Sequence, residues 1–255
     1  LGERVGYYGN SLGDHFGVGH IFLAGEAPGL FYGYVTQGIV QKEDITENGI
    51  KYIKQDGSVG YYQTVNKTTP VAGDVKYVDR NGDGVVDDND RDIIGNPNPD
   101  FTYGFQTKVS WKSLSLSASF NGVQGRDILN VGNRYNNTPG TKSNNVTRKA
   151  FQNMWTDENP SNLYPKSTFV VQNMVMDRYV EDGSYLRCSD ITLSYVLPAK
   201  WTNKIGIKNT SVYASVKNAF VITDYSGYDP EVNSFAFDGL RPGVDMNSYP
   251  TPRSF

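Results

Sequence analysis

Phe101-Thr102-Tyr103-Gly104-Phe105-Gln106-Thr107-Lys108-Val109-Ser110-Trp111 is followed, after Lys112, by Ser113-Leu114-Ser115-Leu116-Ser117-Ala118-Ser119-Phe120-Asn121. In the first run Phe101, Tyr103, Phe105, Thr107, Val109 and Trp111 point one way, and Thr102, Gly104, Gln106, Lys108 and Ser110 the other. In the second, Leu114, Leu116, Ala118 and Phe120 oppose serines and Asn121. A period of two with so short a link predicts a tight antiparallel hairpin. Each run has about the 9–11 residues that a strand needs to cross a bilayer. A soluble β-sandwich gives the same alternation, so the hairpin alone leaves both open.

Working outward, further strands are expected near residues 30–36, 184–197 and 210–222, beside those at 101–111 and 113–122. The connections then run long (37–100), short (112–113), long (123–182), short (198–208) and long (223–250). An outer-membrane barrel has short periplasmic turns and long extracellular loops, whereas a sandwich has no reason to alternate. The expected fold class is therefore all-β, an antiparallel transmembrane β-barrel segment with long extracellular loops. Trp111, beside the tight turn, is expected in the aromatic girdle at the periplasmic interface. Trp201 falls on a periplasmic link.

Composition agrees. The 255 residues include 27 glycines and 18 tyrosines, only 38% are hydrophobic, and no 3.6-residue periodicity persists over a useful length. A net charge of −3 without a basic cluster argues against nucleic acid as a partner. Cys188 is the only cysteine, so no internal disulfide can form. No apolar run reaches the roughly 18 residues of a membrane helix, which leaves barrel strands untouched. Residues 1–29 read as irregular, and His15 and His20 lack the acidic or thiol partners of a metal site.

One segment carries recognisable ion chemistry. Asp79-Arg80-Asn81-Gly82-Asp83-Gly84-Val85-Val86-Asp87-Asp88-Asn89-Asp90 places side-chain oxygens at positions 1, 3, 5, 9 and 12 of a calcium-type loop: Asp79, Asn81, Asp83, Asp87 and Asp90. Gly84 stands at the sharp turn of position 6, and Val85 offers its carbonyl at position 7. Asp at position 12 is a shorter ligand than the usual Glu, and a solvated acidic turn uses the same Asn-Gly and Asp-Gly pairs. The flanks, Gly73 to Val78 and Ile93 to Pro99, look extended, so a structural Ca2+ would pin a loop and not a helix pair. The expectation is that the ion orders the 37–100 segment, which has little apolar material of its own. Tyr135, Trp155 and Tyr164, in the 123–182 connection, are candidates for stacking on a sugar, set against simple packing between loops. Tyr225 and Tyr228 carry the same two readings. Asp229-Pro230-Glu231 reads as a proline-stiffened loop, and no acidic pair comes with the partner motif of a glycosidase, so no catalytic residue is assigned.

Several blocks resemble, in order and spacing, the C-terminal barrel region of SusC/RagA-family TonB-dependent transporters of Bacteroidota. They are Gly73-Asp74-Val75-Lys76-Tyr77 running into the acidic loop, Ile94-Gly95-Asn96-Pro97, Phe101-Thr102-Tyr103-Gly104-Phe105, Gly183-Ser184-Tyr185-Leu186-Arg187, Ile191-Thr192-Leu193-Ser194-Tyr195, Asn218-Ala219-Phe220 and Tyr225 to Glu231. The resemblance implies a large outer-membrane barrel with an N-terminal plug, of which this chain supplies wall and loops. It implies import of oligosaccharides or peptides with a SusD-like surface lipoprotein lid, energised by the TonB complex and seated in outer-membrane lipid. Signal peptide, plug and, past Tyr249-Pro250, the family's final strand are expected to lie outside the chain. A secreted, calcium-stabilised β-module that binds carbohydrate is the alternative.

Overall fold

The computed structural model describes residues 4–8, 19–138, 145–167, 174–207 and 210–255. His15 lies outside them. The chain forms two compact units. One comprises 99–127, 182–232 and 248–255, the other 1–98, 128–181 and 233–247. No helix among the described residues is long and apolar enough to cross a membrane.

The first of these units is built on one four-stranded antiparallel sheet, in the order Phe101–Trp111, Leu114–Gln124, Tyr185–Val196 and Ser211–Thr223. Lys112, at a φ of 54°, turns the hairpin. The register puts like with like across the strands. Val109, Leu116, Leu193 and Ala214 share a row, as do Thr107, Ala118, Ile191 and Val216, and Trp111, Leu114, Tyr195 and Val212. Between them, on the other face, run Gln106, Ser119, Asp190 and Lys217, and then Lys108, Ser117, Thr192 and Ser215. None of the described residues of the unit covers the apolar rows: Trp111 is 69% exposed, Val109 63% and Val212 52%. In water such a surface would drive association, whereas in a bilayer it is the surface that belongs outside.

A bulge interrupts the sheet. Ser119 pairs with Asp190 and Phe120 with Cys188, so Ser189 is the extra residue, its hydroxyl donating to the Ser119 carbonyl at 3.1 Å. The Ser211–Thr223 strand answers with Asn218 at a φ of 53°. The bulge changes the parity of the strand, so that Arg187 and Asp190 fall on the same polar face although three positions separate them. Gly122 lies under the Tyr103 ring, whose Cζ would sit 2.3 Å from a β-carbon, and the Tyr103 hydroxyl reaches the Tyr185 carbonyl.

The other unit corrects the expectation of a loop poor in apolar material. Leu30–Tyr34 pairs with His20–Leu23 and Arg91–Gly95, and Arg4–Tyr8 joins them, so part of the stretch read as irregular is strand. Within 37–100, Ile45–Thr46, Gly49–Ile53 and Val59–Tyr62 form a three-stranded sheet, and Thr36–Ile39 pairs with Val75–Tyr77. These strands share one core of Phe31, Ile39, Val40, Ile50, Tyr52, Tyr62, Val65, Tyr77 and Val86 with Leu129, Trp155 and Met176. Tyrosine supplies much of its volume. Each ring buries a large apolar body provided its hydroxyl finds a partner. Tyr62 accepts from the Tyr77 N–H at 3.1 Å, and Tyr52 donates to the Asp79 carbonyl at 2.7 Å. Burial pushes the Tyr34 hydroxyl up to about 12, so it remains a neutral donor to Asp88.

Candidate functional site

The acidic loop leaves Val75–Tyr77 and ends in a 3-10 turn, Asp88–Asp90, that leads into Arg91–Gly95. Both its ends are buried: Asp79 is 3% exposed and Asp90 fully enclosed. Asp79 receives the Gly82 N–H at 2.6 Å on one carboxylate oxygen and the Gly84 N–H at 2.8 Å on the other. Asn81 accepts from the Asp83 N–H, and Asp83 from the Val85 N–H, each at 2.8 Å. Asp90 closes the ring, accepting from Arg80 at 2.8 Å on one oxygen and from Asp87 at 2.8 Å on the other. Position 1 and position 12 therefore grip the same turn from opposite ends.

Gly82 and Gly84 both hold φ near +80°, with open space where a β-carbon would stand, so they are required by conformation and not by crowding. The loop is anchored outside itself by Gln63 N–H to the Gly84 carbonyl (2.7 Å), Asn66 N–H to the Val86 carbonyl (3.0 Å) and an ion pair between Arg80 and Asp92. Burial pushes the Asp90 carboxyl up, against the lowering effect of the N–H groups of Asp87, Asn81 and Arg80. Asp79 adds to the rise. A cleft of about 330 Å³ opens beside the loop between Lys54, Gln55, Asp56 and Asp79 to Gly82.

The oxygen-only donor set suits a hard cation, and a carboxylate oxygen holding one N–H retains a second lone pair. Yet no group of three or more His, Cys, Asp and Glu side chains among the described residues stands close enough to share an ion. The turn is thus already closed by its own backbone donors, and it packs on a core that the sequence reading did not credit.

The aromatic candidates divide. Trp155 and Tyr164 are buried, and the Trp155 indole N–H donates to the Gln41 side chain at 3.0 Å. Tyr135 packs against the same core, with Arg134 donating to its hydroxyl at 2.6 Å and lying over its ring. Trp155 and Tyr164 thus pack within the core of this unit, while Tyr135 lies half-buried against it. Tyr225 is buried as well, while Tyr228 is 74% exposed. Sequence reasoning missed a buried charge cluster in the four-stranded unit, where Arg187 meets Asp229 and Glu231. More than forty residues separate these partners, and no local pattern announces such a pairing.

No protein-family model matches the chain. It is similar to a TonB-dependent receptor of Formosa agariphila, 34% identical over 192 residues, which is 72% of this chain and 19% of the relative. It is similar also to TonB-dependent receptor SusC of Bacteroides thetaiotaomicron, 34% identical over 70% of this chain and 17% of SusC. Among solved structures, the RagAB peptide importer in its open-open state covers 92% of this chain at 25% identity with a TM-score of 0.58, over 22% of that chain. A structure of the RagAB peptide transporter shares the fold with a TM-score of 0.63 over 97% of this chain and 23% of that chain, at 24% identity. The chain spans about a fifth of the length of the relatives it matches.

Proposed function

Because this chain is a segment of a SusC/RagA-like TonB-dependent transporter, all-β and part of an antiparallel membrane barrel, we propose that it serves TonB-driven uptake of oligosaccharides or peptides across the outer membrane. Its four-stranded unit is wall, with the apolar rows against lipid and the Gln106–Ser119–Asp190–Lys217 face toward the lumen. The long connections, 37–100, 123–182 and 223–250, are extracellular loops, and a SusD-like lipoprotein closes over them. The single observation that carries this reading is the continuous, uncovered apolar face backed by a polar one. Transport needs no covalent step from these residues. The wall must satisfy its backbone groups in lipid, and the loops must hold a shape that ligand and lid can recognise.

Calcium enters as a structural stabiliser of one such loop. Asp79, Asn81, Asp83, Asp87 and Asp90, with the Val85 carbonyl, would hold it, and the ion would offset two of the four negative charges that the aspartates crowd onto one turn. The twelve-position spacing and the positive φ of Gly84 support this.

The test is disruption of the full-length gene in its native host, followed by growth on defined oligosaccharides and on defined peptides as sole nutrient. Loss of growth on one class is expected, as is co-purification of a surface lipoprotein with the intact transporter from the parent strain. Unchanged growth of the disrupted strain on every substrate, with the protein absent from the outer-membrane fraction of the parent strain, would overturn the proposal.

A further inference from the structure

Asp229-Pro230-Glu231 does more than stiffen a turn. Arg187, 5% exposed, sits on the polar face of the sheet opposite Asn121 and Val221. Its Nη2 donates to Asp229 Oδ1 at 2.5 Å, and its Nε lies 3.2 Å from Glu231 Oε2. Glu231 is held again by the Tyr185 hydroxyl at 2.6 Å and the Asn121 amide at 3.1 Å. Asp229, itself 4% exposed, also accepts the Glu231 N–H and the Thr251 N–H, both at 2.9 Å. Arg126 reaches over to the Pro230 carbonyl at 2.6 Å. Wall residues from two separate stretches, 121–126 and 185–187, therefore converge on three consecutive loop residues, and the loop's own carboxylate gathers a third stretch at Thr251.

We propose that residues 224–232 form a strap locked by charge across one end of the sheet's polar face, a fixed lip of the lumen. That the strap borders a lumen rests on the barrel reading above; the lock itself does not. Two carboxylates face Arg187 and Arg126, so charge is nearly balanced. Removing one member leaves an uncompensated buried ion, which is far more disruptive than losing a surface pair. Asp229 is the keystone because it accepts three bonds at once. Asn at that position has one acceptor oxygen, and its amide would point a donor at the N–H of Glu231 or Thr251, or at Arg187.

The experiment uses the full-length transporter in detergent and reads backbone hydrogen exchange by mass spectrometry. In the unmodified protein the Glu231 and Thr251 amides should exchange as slowly as amides of the Tyr185–Val196 strand. Asp229→Asn should accelerate exchange across 224–232 by about tenfold or more, with Arg187→Lys falling between. Rapid exchange of Glu231 and Thr251 in the unmodified protein, matching the exposed Asp56-Gly57-Ser58 turn, overturns the lock even if neither variant assembles. So does unchanged protection in a folded Asp229→Asn protein. Heat-dependent gel mobility, which reports barrel closure, is read on the same samples. Its absence sinks the barrel reading and with it the lip, while the exchange rates still decide whether the strap is locked.

Discussion

If the apolar rows face lipid, two neighbouring residues on one strand should respond oppositely to the same substitution. Ile191 belongs to the apolar row of Thr107, Ala118 and Val216, and Thr192 to the polar row of Lys108, Ser117 and Ser215. Four positions separate Ile191 from Tyr195, which is level with Trp111 at the turn. At roughly 3.4 Å per residue and a tilt of about 40°, that places Ile191 about 10 Å above the girdle, close to the middle of an apolar band about 25 Å tall. Arginine at the midplane costs roughly 2–4 kcal/mol and near an interface about 0–1. Ile191→Arg should therefore destabilise the folded barrel by about 3 kcal/mol, Val212→Arg, in the Trp111 row, by less than about 1, and Thr192→Arg by roughly nothing. The assay is equilibrium denaturation of the full-length protein in lipid vesicles, followed by the gel-mobility shift between folded and unfolded forms. Equal costs at 191 and 192, or a larger cost at 192, would refute the assignment of faces and favour the alternative module with a second sheet over the apolar side.

Three other outcomes follow from the loops. Asp83→Ala should loosen residues 79–90 to protease in the presence of calcium while the barrel still assembles; identical cleavage of variant and parent, with and without a chelator, removes the ion from the account. Trp155→Ala should destabilise the unit that holds it by about 3–5 kcal/mol, and Tyr228→Ala, on an exposed ring, by less than about 0.5, as read by thermal melting monitored in each unit. Burial alone would raise the Asp229 carboxyl, but the N–H groups of Glu231 and Thr251 and the Arg187 guanidinium hold it below the ordinary 3.8. A lowered folded value means its contribution is complete above about pH 4 and lost only as pH falls through that value, so the strap should stay protected from pH 8 to 5. Release between pH 7 and 5 would contradict this.

The long strands were legible because a period of two over ten residues leaves little else to be, and Phe101–Trp111 begins and ends where its alternation does. The acidic loop's turn was legible from its Asn-Gly and Asp-Gly pairs, and Asp79 and Asp90 each accept backbone N–H groups from it. What stayed hidden was non-local. Thr36 pairs with Tyr77 across forty residues of short strands, and the core there is built from Tyr52, Tyr62 and Tyr77, residues that count as polar loop material until their hydroxyls are seen to be satisfied. Trp155 and Tyr164 carried two readings in the sequence because an aromatic in a long connection says nothing of what the connection folds against; both are buried. Arg187 and Asp229 each sit in an ordinary local context, and only the bulge at Ser189 turns the arginine toward its partners.

Deleting Ser189 alone would swap inside for outside for every side chain on one flank of it, sending Arg187 toward hydrocarbon and Cys188 toward water. Homologous chains should thus accept length changes here in even steps, or in single steps only when the neighbouring kink at Asn218 changes with them. An odd insertion in an otherwise aligned relative would mark a strand that has been re-registered, and its charged partners should have moved with it.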